Sequence, residues 1–209
     1  MLGIHDLWLF VLSAFLLNVT PGPDTLYIVG RSTAHGLRGG VLAALGIGAG
    51  ALVHVGAAAL GLSAILAASA TAFTAVKLIG AAYLLYVGVG LLRSRREPVR
   101  QDVAESRAGS MHGIFVQGFL TNVLNPKVAL FFLAFLPQFV AADAPSKPLA
   151  FLLLGIIFDV NGTLWNLFIA WTTARLSKLA PSAAFKLWFN RCVGALFIGV
   201  GIRLALARE

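Results

Sequence analysis

The chain has 209 residues, 59% of them hydrophobic and only 11% charged, with a formal charge of +8. A water-soluble domain carries about 25% charged residues, so this composition excludes a globular protein wetted on every side and makes the bilayer the main solvent. The positive charge does not indicate a nucleic-acid partner, because the basic residues sit between apolar segments, where the positive-inside rule concentrates them.

Six apolar segments follow one another near residues 6–28, 39–67, 72–92, 113–139, 149–173 and 187–207. A spanning helix needs roughly 20 apolar residues, so six spans and short connections fill the chain. The expected fold is an all-α integral membrane protein with six transmembrane helices in one domain over 1–209, with no room for a separate soluble domain. The N-terminus lacks a basic n-region and a small-residue cleavage site, and is read as the first span and not as a removed signal.

The first segment is interrupted by Thr20-Pro21-Gly22-Pro23-Asp24. Each proline removes a donor and clashes with the carbonyl four residues back, and Gly22 between them permits unusual backbone angles. Backbone freed in this way at membrane depth is tolerated where it lines a cavity or meets protein. A plain proline kink is the simpler alternative. Asn18, about one turn earlier, is expected to cap freed backbone groups or to bind a substrate carboxylate. The second segment carries Gly46 and Gly50 at GxxxG spacing, with Ala44 and Gly48 spaced alike, which lets helices approach closely inside the bundle. His54 on the same segment reads as a packed or interhelically bonded histidine. In the third segment, Lys77 near one end reads as a snorkelling residue.

A polar stretch at about 93–110 follows and reads as a flexible connector. The fourth segment repeats the first in outline. Phe119-Leu-Thr-Asn122-Val matches Phe15-Leu-Leu-Asn18-Val, and Asn125-Pro126-Lys127 supplies the second break. Two halves of three spans each, about 1–92 and 112–209 joined by the linker at 93–111, would enter the membrane from opposite sides as an inverted repeat. Lys127 lies near mid-membrane, where a charge costs about 2.5–3.5 kcal/mol. It therefore needs a watery cavity or a partner, and Asp24 and Asp159 are the two possibilities. Asn122 is read, like Asn18, as a cap or a substrate ligand. Gln138 marks the end of the segment.

Asp159 lies centrally in the fifth segment and begins a polar trail with Asn161, Thr163 and Asn166. Asp159, Thr163 and Asn166 share one helix face. This carboxylate is read as the ligand of a substrate amine, of a proton, or of each in turn, with a structural ion pair to Lys127 as the alternative. Trp8, Trp171 and Trp188 lie near expected interfaces and read as aromatic anchors.

The side of each connection follows from its basic residues. Eleven lie between the first and second, third and fourth, and fifth and sixth segments: Arg31, Arg38, Arg93, Arg95, Arg96, Arg100, Arg107, Arg175, Lys178, Lys186 and Arg191. Lys147, Arg203 and Arg208 lie on the other side. This asymmetry makes the first set cytoplasmic and turns both termini outward.

At these residues the sequence resembles the LysE/RhtB family of bacterial amino-acid exporters. The likeness runs through PGPDTLYIV (Pro21 to Val29), HGLRGG (His35 to Gly40), KLIGAAYLLYVG (Lys77 to Gly88) and NPKVALFFLAFLPQF (Asn125 to Phe139). It implies secondary efflux of neutral or basic amino acids or close derivatives, driven by the proton gradient across the inner membrane. The implied partners are the amino-acid substrate, protons and the lipid bilayer, with no cofactor, and homo-oligomerisation is left open. The family motifs fall on Pro21, Gly22, Pro23, Pro126 and Lys127, and the acid of the fifth helix on Asp159. Many members carry a neutral residue where this chain has Asp24. A passive channel or other small-solute translocator is the alternative function. An enzyme is not expected: the lone Cys192 excludes an intramolecular disulfide and with it a thiol-redox conduit, and His5, His35, His54 and His112 are far apart with no metal-ligand spacing.

Overall fold

The computed structural model describes residues 2–62 and 110–176 continuously, and isolated positions between 64 and 93 and between 188 and 202. The expected third and sixth spans, the 93–111 linker and Lys77 therefore lie outside the described residues. The exceptions are single helical positions such as Leu78, Tyr86, Trp188 and Ile202.

Helix α1 spans Leu7–Val19 and α2 spans Pro23–Ala57, continued by one wide π turn at Ala58–Leu62. Further along the chain come α3 at Met111–Val123, α4 at Pro126–Ala134 with a 3-10 turn at Leu136–Phe139, and α5 at Lys147–Leu176. Helix is the required state because lipid-facing backbone must satisfy its own hydrogen bonds. Two of these units are each long and apolar enough to cross a membrane, 23–62 and 147–175. Helix α3 and the α4 segment form a third, bent by 46°.

Both expected breaks are present. Thr20 is extended (φ −64°, ψ 120°), as the residue before a proline prefers. Its hydroxyl donates back to Leu16 O at 2.7 Å, while Leu17 O, the carbonyl that Pro21 with no N–H leaves without its helical donor, accepts from Thr20 N at 3.2 Å. Helix α2 then restarts with Pro23 in its first turn, where a missing N–H is harmless. Helix α4 restarts in the same way at Pro126, and Asn125 caps it by accepting from Lys127 N at 3.0 Å.

The expected connection at 29–38 narrows to a kink. Two helical stretches, 23–35 and 37–57, meet at Gly36 (φ 62°, ψ −159°), and the chain turns back there, since Asp24 and Gly48 line one cavity and Tyr27 and Ala43 both lie against Gly118. The Gly36 conformation is open to glycine and strained for other residues. The polar residues of this stretch therefore lie on a helix, and Arg31 is buried, not a loop charge.

Helix α2 packs between α3 and α5. A Cβ at Gly46 or Gly50 would strike the α3 backbone at Phe115 or Phe119, and one at Gly48 would meet Thr163 of α5. The GxxxG spacing thus serves packing within the chain, on two faces of one helix. A cluster rich in phenylalanine (Phe10, Phe131, Phe132, Phe135, Phe139, Phe151 and Phe158) fills the space between α1, α4 and α5. Large apolar side chains such as Leu26, Leu60, Leu124 and Leu164 point outward. Trp8, 70% exposed, opens α1, and Trp171 lies exposed in the last turns of α5.

Backbone pairing ties the start of the chain to the end of the α4 segment. His5 N donates to Phe139 O at 3.1 Å and Ala141 N to Gly3 O at 2.9 Å. These two regions share one end of the bundle. The Gly36 kink, the start of α3 and the end of α5 share the other. Tyr27 Oη donates to Ile114 O at 2.7 Å, and Gly40 lies against Ala170.

Candidate functional site

The two breaks face each other at the centre of the bundle, and each receives the charged side chain of the other. Asp24 stands in the first turn of α2. Its Oδ2 accepts from Asn122 Nδ2 at 2.9 Å and from Asn125 Nδ2 at 3.1 Å, both in the second break. Lys127 stands in the first turn of α4. Its Nζ donates to Leu17 O at 2.7 Å and to Thr20 O at 2.8 Å, both in the first break. These placements suit helix electrostatics. An acid beside a helix N-terminus and a cation beside the C-terminal carbonyls of another each meet the favourable end of a dipole. The Lys127 ammonium and the Asp24 carboxylate act on each other electrostatically, without a direct ion pair between them.

A cavity of about 30 Å³ lies between these groups, room for one or two waters and far too small for an amino acid. Its walls come from α1 (Leu17, Asn18), the first break (Thr20, Gly22), α2 (Asp24, Thr25, Ile47, Gly48, Ala51), the second break (Asn122, Asn125, Lys127) and α5 (Phe158, Asp159, Gly162, Thr163, Asn166). Asp159 enters from the side opposite the breaks. Thr163 Oγ1 donates to Asp159 Oδ1 over a long 3.4 Å, which leaves the carboxylate with most of its accepting capacity. The cavity therefore holds one acid held by two amides, one ammonium held by two carbonyls, and a second, lightly bonded acid.

Most of the sequence-derived residues meet here, with corrections. Asn18 and Asn122 do not cap backbone. Asn18 reaches across to α5, 3.5 Å from Phe158 O and against Gly162, while Asn122 binds Asp24. Asn125 caps α4 and binds Asp24 together. Pro21, Pro23 and Pro126 make the breaks, but their rings are exposed and line no part of the cavity. Asn161 does not line this cavity. It faces an apolar groove on another side of α5, with Phe15, Ile156, Val160, Leu164 and Trp165. At about 100° per residue, Asn161 lies some 200° round the helix from Asp159, while Thr163 and Asn166 return to within about 40°.

Sequence reasoning missed the packing glycines Gly48 and Gly162 as cavity walls, and a second polar cluster toward the Gly36 end. There the Arg31 guanidinium lies 5.3 Å from the Tyr27 ring centroid and donates to Gln117 Oε1 at 2.5 Å. The spacing of Tyr27 and Arg31, four apart on one helix, was the available signal. His54 behaves as expected, with Nε2 donating to Asn122 O at 3.0 Å and its ring stacked on Phe132.

Residues 15–208 match the LysE type translocator family. The chain belongs to this family. An uncharacterized membrane protein of Pseudomonas aeruginosa is 34% identical to it, over 99% of this chain and 97% of that protein. The Bacillus subtilis membrane protein YrhP is 28% identical over 98% of this chain and 100% of its own length. The leucine efflux protein of an Enterobacter species is 28% identical over 97% of this chain and 96% of that protein. No solved structure matches.

Proposed function

We propose that this LysE family member is a proton-coupled exporter of amino acids or close derivatives in a bacterial inner membrane. In this reading it has six spans arranged as two inverted repeats, over about 1–92 and 112–209, with both termini outward. The observation that carries the reading is the central cavity where Asp24, Lys127 and Asp159 converge on two broken helices. Broken helices at mid-membrane expose backbone amides and carbonyls to a substrate, as transporters built from repeats do. The exchange of side chains between the breaks is what a two-fold relation of the halves would produce.

In the proposed mechanism the substrate ammonium, or a proton, binds Asp159, the acid with capacity to spare. The substrate carboxylate meets amide donors at Asn18 and at the start of α2. The 30 Å³ cavity corresponds to a contracted state, so loading requires α5 to move away from the breaks. The resemblance to leucine efflux proteins makes leucine and other aliphatic amino acids the first substrates to try. Phe158, Ile47 and Val128 offer apolar wall for such side chains.

The test is efflux from proteoliposomes loaded with labelled amino acids under an imposed pH gradient. Gradient-driven loss of particular amino acids is expected, abolished when the gradient collapses. Asp159→Asn should keep the fold and lose the gradient-driven component. Wild-type rates in that variant would refute the coupling role of Asp159, and equilibration without accumulation would favour a passive channel.

A further inference from the structure

The first break is built as a cation site. A helix C-terminus presents carbonyls with no intrahelical donor, and transporters with broken helices commonly hold a coupling sodium ion on such carbonyls beside a carboxylate. Here Leu17 O and Thr20 O converge within 2.7 and 2.8 Å of one point. The Asp24 carboxylate acts on that point electrostatically from beyond direct ion-pair contact. Asp24 Oδ1 is buried and accepts no hydrogen bond among the described residues, so an oxygen remains beyond the one held by Asn122 and Asn125. The occupant of that point is the Lys127 ammonium. Its stem passes over Gly22, where a Cβ would lie 3.7 Å from Lys127 Cδ and 3.8 Å from Nζ.

We propose that this is an alkali-metal-type site whose cation is supplied by the chain itself. The tethered ammonium of Lys127 does the electrostatic work of a bound sodium ion, joining the first break to the second. The protein then needs no alkali metal. Removing the side chain would leave two carbonyl oxygens facing an empty point, in the field of the Asp24 carboxylate, a setting for a small, partly hydrated monovalent cation. An unpaired buried carboxylate is costly, so a free cation should be drawn in. This inference concerns the site's occupancy and does not depend on which solute is exported.

The test uses purified full-length protein in detergent, with thermal unfolding followed in sodium chloride and in choline chloride at equal ionic strength. The wild type should unfold at the same temperature in both salts. Lys127→Ala should unfold earlier in choline and be restored saturably by sodium, with a midpoint rise of about 5–11 °C at a hundredfold excess over the dissociation constant. n-Propylammonium, which replaces the missing ammonium without a tether, should restore it too, whereas Lys127→Met, whose stem still fills the space, should respond to neither. A sodium-specific rise in the wild type would overturn the proposal, because the site would then already take a metal. A folded Lys127→Ala indifferent to both sodium and propylammonium would also overturn it. If Lys127→Ala cannot be recovered folded, the wild-type comparison decides alone.

Discussion

Gly50→Ala tests whether the approach of α2 and α3 holds the site together. A Cβ at Gly50 would lie 2.6 Å from Phe119 O and 2.9 Å from Asn122 Cβ. Ordinary contact begins at 3.4 Å, so α3 must retreat by about 0.8 Å, the difference 3.4 − 2.6. Both obstacles are backbone or Cβ atoms and cannot swing aside. Such overpacking costs about 1–3 kcal/mol. The alanine also gains helix propensity of about 1 kcal/mol, which would mask part of the loss. Gly56→Ala isolates that gain, since Gly56 lies on the same helix with nothing within 4 Å of its Cβ position. The expected result is that Gly50→Ala is less stable than Gly56→Ala by about 1–3 kcal/mol, read from unfolding in detergent mixtures. It should also lose efflux, because the retreat carries Asn122 away from Asp24. Equal stability of the two variants would refute the claim that glycine is required here by contact.

Asn125→Ala should destabilise twice over, by about 1 kcal/mol for the lost helix cap and about 1.5–3 kcal/mol for a hydrogen bond to a charged group, measured by the same unfolding. Asn161→Ala should leave efflux unchanged while Asn166→Ala lowers it, since only Asn166 lines the cavity; equal effects in liposomes would contradict that division. Arg31→Lys should not be conservative, because an ammonium cannot both lie flat on Tyr27 and fork to Gln117. A loss of about 0.5–2 kcal/mol is expected from the cation–π and hydrogen-bond contributions, visible as a lower unfolding midpoint, and Gln117→Ala should remove the hydrogen-bond part of that loss.

Much of this was legible in the sequence because proline and glycine act locally. The breaks at 20–23 and 124–126 follow from backbone chemistry that no tertiary contact can override. The GxxxG spacing and the central acids were legible by position within an apolar run. The partners were not. Whether Lys127 meets Asp24 or Asp159 depends on how two breaks about a hundred residues apart are turned toward each other, and a single sequence carries no such distance. Asn18 and Asn122 were misread as caps because a cap is a geometric relation, and their nearest donors and acceptors come from other helices. Asn161 was included because it lies beside Asp159 in sequence, where helix angle and not proximity decides. The stretch 29–38 read as a polar connection, and the chain does turn back there, but the turn contracts to Gly36, and Arg31 beside it meets Tyr27 and Gln117, so its polarity faces protein instead of water.

The crossing of side chains between the breaks also sets an order of events during synthesis. Asp24 finds its amides only 98 and 101 residues later in the chain, and the carbonyls of Leu17 and Thr20 wait equally long for Lys127. At 5–20 residues per second, the first helix pair spends roughly 5–20 s with an unanswered acid, which in open lipid would cost about 2.5–3.5 kcal/mol. A hydrated or protein-lined surrounding would spare the early helices that cost until the fourth segment arrives. The second break completes the first in time as well as in space.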